Sequence, residues 1–327
     1  MSDNEIIPGS IASTGPTNVA ALPQDQTADI ITPAGLGRRG MIGSIGAGAA
    51  GMLSLGAIAS AGVLTSTVPA QAQSLTDADI VNFALNLEYL EAEFYLRALT
   101  GQGLAASDTT GTGTPGAVTG GRAVPFTTRQ YASLCRDITI DEQAHVKFLR
   151  AALGSNAVAR PAINFTQTFT NLAVAGGLIT AGQTFDPFAN EINFLLGAFV
   201  FEDVGVTAYG GAAALISNKT ILSYAASILA TEAYHAGAIR ANLYNIGGGI
   251  AVQGISNARG AASTSAGGFS GDTGILSGDG VNITLVPTDD QAQTYRRTTA
   301  QVLNIVYLGG ASGNYGFFPN KMNGTIA

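Results

Sequence analysis

Four segments of the chain repeat apolar residues at the helical period, and Gly- and Thr-rich stretches divide them. The first follows Thr76-Asp77-Ala78-Asp79, which resembles a capping box with Asp in place of Glu, and runs through IVNFALNLEYLEAEFYLRAL to Leu99. Residues 101–124 lack an apolar period and read as a surface loop. Pro125-Phe126-Thr127 then leads into TRQYASLCRDITIDEQAHVKFLRAAL, which stops at Gly154. Residues 155–185 form a long connection with one short strand near INFTQTFT. The third helix is predicted to open at Asp186-Pro187, a cap followed by a first-turn proline, and to continue through FANEINFLLGAFVFEDVGVTAYGGAAALI. It is apolar almost all round, which places it inside a bundle. After the turn Ser217-Asn218 comes the fourth helix, TILSYAASILATEAYHAGAIRANLYNI, closed by Gly247-Gly248-Gly249. Beyond Ile250 the chain is Gly-, Ser- and Asn-rich, with a short hairpin expected in DTGILSGDGVNITLVP. A fifth helix is predicted from Thr288 to Leu308, capped by Thr288, and the tail is expected to pack Phe317 and Phe318 onto the body.

Composition adds two constraints. Hydrophobic residues make up 46% of the chain and charged residues 11%, so a large core is available and much of the surface is Gly, Ser, Thr and Asn. The net charge of -7, with no basic stripe, excludes nucleic acid as a partner. Residues 1–37 hold no Lys or Arg. Arg38-Arg39 then precede a mild apolar run from Met41 to Val68 that ends in Ala70-Gln71-Ala72. This reads as a Tat-type export signal over residues 1–72, cleaved after Ala72, and implies a periplasmic or extracellular protein with no stable membrane span afterwards. A retained membrane anchor is the alternative. Residues 73–246 would then be the helical bundle and 247–327 a C-terminal extension. The single cysteine, Cys135, cannot form an internal disulfide and reads as a buried, inert thiol.

The candidate chemistry lies in the two histidines, since each follows a glutamate by three residues: Glu142-Gln-Ala-His145 and Glu232-Ala-Tyr-His235. That spacing puts carboxylate and imidazole on one helical face, about a turn apart. Glu88 and Glu202 lie in the apolar middles of the first and third helices. Buried carboxylates cost several kcal/mol each unless paired or metal-bound, and two divalent ions would balance four of them. Glu91 and Glu93 read as surface or supporting acids, Glu91 pairing with Arg129 or Arg136. Asp203 is expected to hydrogen-bond rather than bind metal. Tyr95, Tyr209 and Tyr234 are read first as packing residues, with redox activity or hydrogen bonds to the ligating carboxylates as the alternatives.

The order Glu, Glu-x-x-His, Glu, Glu-x-x-His, with a long connection in the middle, resembles the ferritin-like superfamily, and within it the exported desiccation- and stress-related proteins. LNLEYLEAEFY, DEQAHVKFL, FEDVGVTAY and TEAYHAGAIR carry the resemblance, together with GFFPNKMNG in the tail. Glutamate followed seven residues later by tyrosine (Glu88 to Tyr95, Glu202 to Tyr209) matches the superfamily pattern and selects Glu88 over Glu91. The resemblance implies an all-α, four-helix bundle with one long crossover between the second and third helices, a C-terminal helix and an irregular, partly β extension. It also implies two Fe or Mn ions held by Glu88, Glu142, His145, Glu202, Glu232 and His235. Three functions stay open: a di-metal oxidoreductase consuming peroxide or O2, a metal-sequestering stress protein, and a structural bundle. A monomer or homodimer is expected rather than a storage shell.

Overall fold

The computed structural model describes residues 75–265, 271–276, 283–309 and 316–327. The export signal read at residues 1–72 lies outside the described residues. Four long helices build the bundle: α1 (Asp77–Thr100), α2 (Arg129–Leu153), α4 (Glu191–Ala212) and α5 (Lys219–Asn245). A shorter helix, α3 (Thr166–Ala175), lies in the crossover, and α6 (Gly249–Ser265) and α7 (Thr299–Val306) follow the bundle. α1 packs along α2 and α4 along α5, so two helical hairpins are joined by the crossover of residues 154–190.

Local chemistry sets where the helices begin. The Thr76 hydroxyl accepts from the Asp79 amide while the Asp79 carboxylate accepts from the Thr76 amide, so the capping box forms with Asp in the Glu position. α4 starts at Glu191, later than expected: the Asn190 side chain accepts from the Ile192 and Asn193 amides, and Asp186-Pro187 makes a separate turn before it. α4 is apolar enough to cross a membrane by composition, yet its most apolar window is 89% buried inside the fold. Phe94 is the hub of the core, with the rings of Phe165, Phe188, Phe194 and Phe201 centred within 5.9 Å of it.

The glycine-rich loop after α1 is tied down rather than free. β1 (Val118–Thr119) pairs in parallel with β2 (Ile163–Asn164) of the crossover. Gly116 lies so close to that crossover that a Cβ would sit 2.1 Å from the Ala162 amide nitrogen. The tail closes the same end. Phe317 and Phe318 are buried, Phe317 against Phe169 and Phe201. Asn323 donates to the Thr114 and Ala159 carbonyls and accepts from the Thr114 amide.

The extension departs from expectation in two places. A helix, α6, occupies residues expected to be irregular. The predicted fifth helix shortens to Thr299–Val306, capped by Thr298 through a capping box with Gln301. Residues 288–298 instead run against α4: the Arg297 amide donates to the Thr207 carbonyl, and a Cβ on Gly211 would meet the Arg297 carbonyl oxygen. Of the expected hairpin, the described residues show one antiparallel bridge between Leu276 and Ile283.

Candidate metal centre

Each bundle helix contributes to one buried cluster. α1 supplies Glu88, α2 Glu142 and His145, α4 Glu202, and α5 Glu232 and His235. The helical period explains the pairing: Glu142 and His145, like Glu232 and His235, share a face that turns inward in the middle of a long helix. All four glutamates are fully buried, and the histidines are 9% and 6% exposed. The donor atoms fall into two groups, Glu88, Glu142, His145 and Glu232, then Glu142, Glu202, Glu232 and His235. Glu142 and Glu232 belong to both.

His145 Nδ1 lies 3.1 Å from Glu88, 3.4 Å from Glu232 and 3.6 Å from Glu142. His235 Nδ1 lies 3.3 Å from both Glu142 and Glu202. Donor atoms bound at right angles to one small divalent ion at ~2.1 Å stand ~3 Å apart, close to these separations. A reciprocal pair of tyrosines braces the outer glutamates. Tyr95 of α1 donates to Glu202 Oε1 of α4, and Tyr209 of α4 donates to Glu88 Oε1 of α1. The seven-residue spacing in each helix therefore produces a crossed exchange.

The electrostatics fit a cation. Both oxygens of Glu142 and of Glu232, Glu202 Oε2 and His235 Nδ1 are buried without a hydrogen-bond partner, although buried polar atoms are almost always satisfied. Burial pushes the Glu88 carboxyl up to about 7, with His145 opposing and Glu142 reinforcing the rise. Burial and neighbouring acids raise Glu202 and Glu232 as well. Burial opposes ionisation of Glu142 too, but the two imidazoles outweigh it and hold this carboxylate below its usual range. The imidazoles themselves are disfavoured as cations by burial, yet the surrounding carboxylates keep both well above their usual range. Burial raises the Tyr95 and Tyr209 hydroxyls far enough that they stay hydrogen-bond donors. The cluster thus has the charge, the oxygen-rich donor set and the unpartnered atoms of a site for hard metal ions.

The six predicted residues are all brought together. Two others of the site were not foreseen in these roles. Asp141 accepts from His235 Nε2 at 3.2 Å, orienting the ring, and stands directly before Glu142 in the sequence. Glu91 was expected to pair with Arg129 or Arg136. It is instead 5% exposed, and burial together with Glu232, Glu142, Glu202 and Glu88 raises its carboxyl well above the usual range. Gly205 makes room for these acids, since a Cβ there would stand 2.7 Å from Glu232 Oε2 and 3.4 Å from Glu91 Oε1. Glu93 is not a surface acid: it is buried in ion pairs with Arg97, at 2.8 Å, and Arg160. Tyr234 is 81% exposed and lies away from the cluster, whereas Cys135 is buried and its thiol pushed up by burial.

Comparison with known proteins agrees with this architecture. The ferritin-like domain matches residues 76–245, more than half of the chain and all four bundle helices. The chain belongs to the ferritin-like domain family. The chain is 30% identical over 173 residues to the desiccation-related protein PCC13-62 of Craterostigma plantagineum, covering 52% of this chain and 53% of that protein. The chain thus spans about half the length of that relative. It is 24% identical over 269 residues to the ferritin-like catalase Nec2 of Nesocodon mauritianus, covering 77% of this chain and 85% of that one. No solved structure matches the chain.

Proposed function

We propose that this ferritin-like protein holds two Fe or Mn ions among Glu88, Glu142, His145, Glu202, Glu232 and His235, and reacts with peroxide or O2 during oxidative or desiccation stress. The carrying observation is the pair of overlapping donor groups that share Glu142 and Glu232, with their buried oxygens unpartnered. Bound ions of this kind would supply a redox couple able to react with peroxide or O2. Around them, the chain's own residues do the positioning. Glu142 and Glu232 face both groups, Glu88 with His145 closes one end, and Glu202 with His235 closes the other. Tyr95 and Tyr209 hold one oxygen of each outer carboxylate and keep a proton on the phenol oxygen beside it. Asp141 fixes the His235 ring. Complete burial of the glutamates excludes bulk water and favours reactants as small as peroxide or O2. The similarity to a ferritin-like catalase supports this reading. Arg38-Arg39 and Ala70-Gln71-Ala72 support export by a Tat-type signal.

The alternative is a metal-binding stress protein without turnover, favoured by the similarity to a desiccation-related protein. The test is peroxide and O2 consumption by the full chain, metal-stripped and then reloaded with Fe(II) or Mn(II). Turnover that appears on reloading and is lost in Glu142→Ala supports the enzyme. Tightly held metal without consumption of either oxidant rules the enzyme out and leaves the binding protein.

A further inference from the structure

Beside the carboxylate cluster, at the end of the bundle where α1 and α5 begin and α2 and α4 finish, a cavity of about 340 Å3 opens between the four helices. Its inner wall is formed by buried Ile80, Leu149 and Tyr209, and its mouth by exposed Ala152, Asn156 and Thr220. Clefts of roughly 300–1,000 Å3 with mostly apolar walls and a few polar groups are the usual form of small-molecule sites.

Three features define what fits. First, among the described residues no Asp, Glu, Lys or Arg lines the cavity, so a charged ligand would give up its hydration without gaining a partner. Second, much of its polar capacity is already committed. Asn218 caps α5 through the Thr220 and Ile221 amides, and the Asn156 carbonyl accepts from Asn82. Third, the wall is aromatic: Phe148 and Tyr224 meet edge to face, with centroids 4.9 Å apart and planes at 90°, and the Tyr209 ring lies further in. Such rings offer faces and edges to another ring.

The cavity is also coupled to the cluster. Tyr209 lines it with its ring while its hydroxyl donates to Glu88 Oε1. A molecule resting on Tyr209 would therefore stand one side chain away from a donor of the proposed metal site without entering it.

We propose that this cavity is a binding site for a small, neutral aromatic molecule, held against Tyr209 beside the metal centre. The proposal deepens the metal-site reading and rests on it for the consequence of binding, not for binding itself. It is tested by titrating the full chain, both metal-stripped and metal-loaded, with 1-naphthol and with 1-naphthoate as the charged counterpart, using calorimetry and tyrosine ring NMR. Saturable binding of 1-naphthol is expected in both forms, with 1-naphthoate weaker by about tenfold or more. Ring resonances of Tyr209 should shift while those of exposed Tyr234 stay in place. Ala225→Phe, inside the cavity, and Ala152→Phe, at its exposed rim where the fold is least perturbed, should each weaken 1-naphthol by about tenfold or more while leaving Fe or Mn uptake unchanged. Absence of saturable 1-naphthol binding, or binding that neither substitution alters, overturns the proposal. Binding of 1-naphthol by a chain that takes up neither metal would refute the metal reading alone. Metal uptake without 1-naphthol binding would refute this proposal alone.

Discussion

Glu202 and Asp203 are consecutive residues of α4, both buried, and their surroundings are opposite. Asp203 sits between two guanidiniums: Arg240 donates to both of its oxygens at 2.8 and 2.6 Å, and Arg259 donates at 2.8 Å. Asp272 extends the network, pairing with Arg259 at 2.8 Å and with Arg297 at 2.5 Å. Those arginines come from α5, α6 and the segment before α7, so the acid locks the C-terminal extension to the bundle. Glu202 turns the other way, into a cluster whose charges are all acidic apart from two imidazoles, and one of its oxygens has no partner. One helix thus carries a carboxylate whose counter-charges come from the protein itself and, a residue away, a site suited to a cation from outside.

The contrast predicts opposite responses to losing a carboxylate. Asp203→Ala leaves Arg240 and Arg259 without a shared counter-charge and should cost about 3–5 kcal/mol in urea unfolding. Glu202→Gln relieves repulsion in the metal-stripped protein and should be neutral or stabilising by about 1 kcal/mol. Tolerance of the first together with collapse of the second would invert the comparison.

The pH dependence of the metal-stripped protein should separate the regions next. Asp203 resists ionisation through burial, but Arg240 and Arg259 outweigh that and lower it below the usual aspartate value of 3.8. Its stabilisation is therefore present above about pH 4 and lost as the pH falls through the lowered folded value. Glu88 is raised from 4.5 to about 7, so its contribution is fully present below pH 4.5 and is lost as the pH rises through about 7. Thermal scans of stripped protein should show stability falling between about pH 5 and 8, and metal loading should abolish that fall by neutralising the cluster. A stripped protein equally stable across that range would contradict the reading of Glu88.

Two smaller effects sharpen the site itself. Gly205→Ala should keep the fold within about 1 kcal/mol, because alanine suits a helix and the nearest obstacle is the mobile end of Glu232. Displacement of that carboxylate should weaken metal retention about 10- to 100-fold in competition with a chelator. Tyr95→Phe and Tyr209→Phe each remove one hydrogen bond to an outer glutamate and should weaken retention about tenfold, with the helices intact by circular dichroism. Unchanged retention in both tyrosine variants would make the crossed exchange a packing feature only.

The bundle and its cluster were legible because their signals are local. Apolar period, the Thr76 box and the Glu-x-x-His spacing each sit within one helix, and the fixed geometry of the helix turns spacing into a shared face. Elements specified by distant partners were not. α6 is rich in Gly, Ser and Ala, poor in intrinsic signal, and is anchored by Arg259, which reaches Asp203 and the Phe199 carbonyl. The stretch from Thr288 has helix-forming composition, but its backbone is captured by α4 at Thr207. Glu91 lies one turn from Glu88, so the helical period allowed it to face the cluster, and the missing side chain of Gly205 on α4 leaves room for it there. Asp203 gives no sign in the sequence of its two arginines, which lie 37 and 56 residues away.

Elemental analysis of the purified full chain, parent beside Glu142→Ala, tests the metal centre most directly, because Glu142 belongs to both donor groups. After exposure to Fe(II) or Mn(II) and removal of loose metal, the parent should retain two ions per chain. The variant should lose most of them while remaining helical. A parent that retains neither metal, or a variant that retains the parent's full complement, would contradict the assignment.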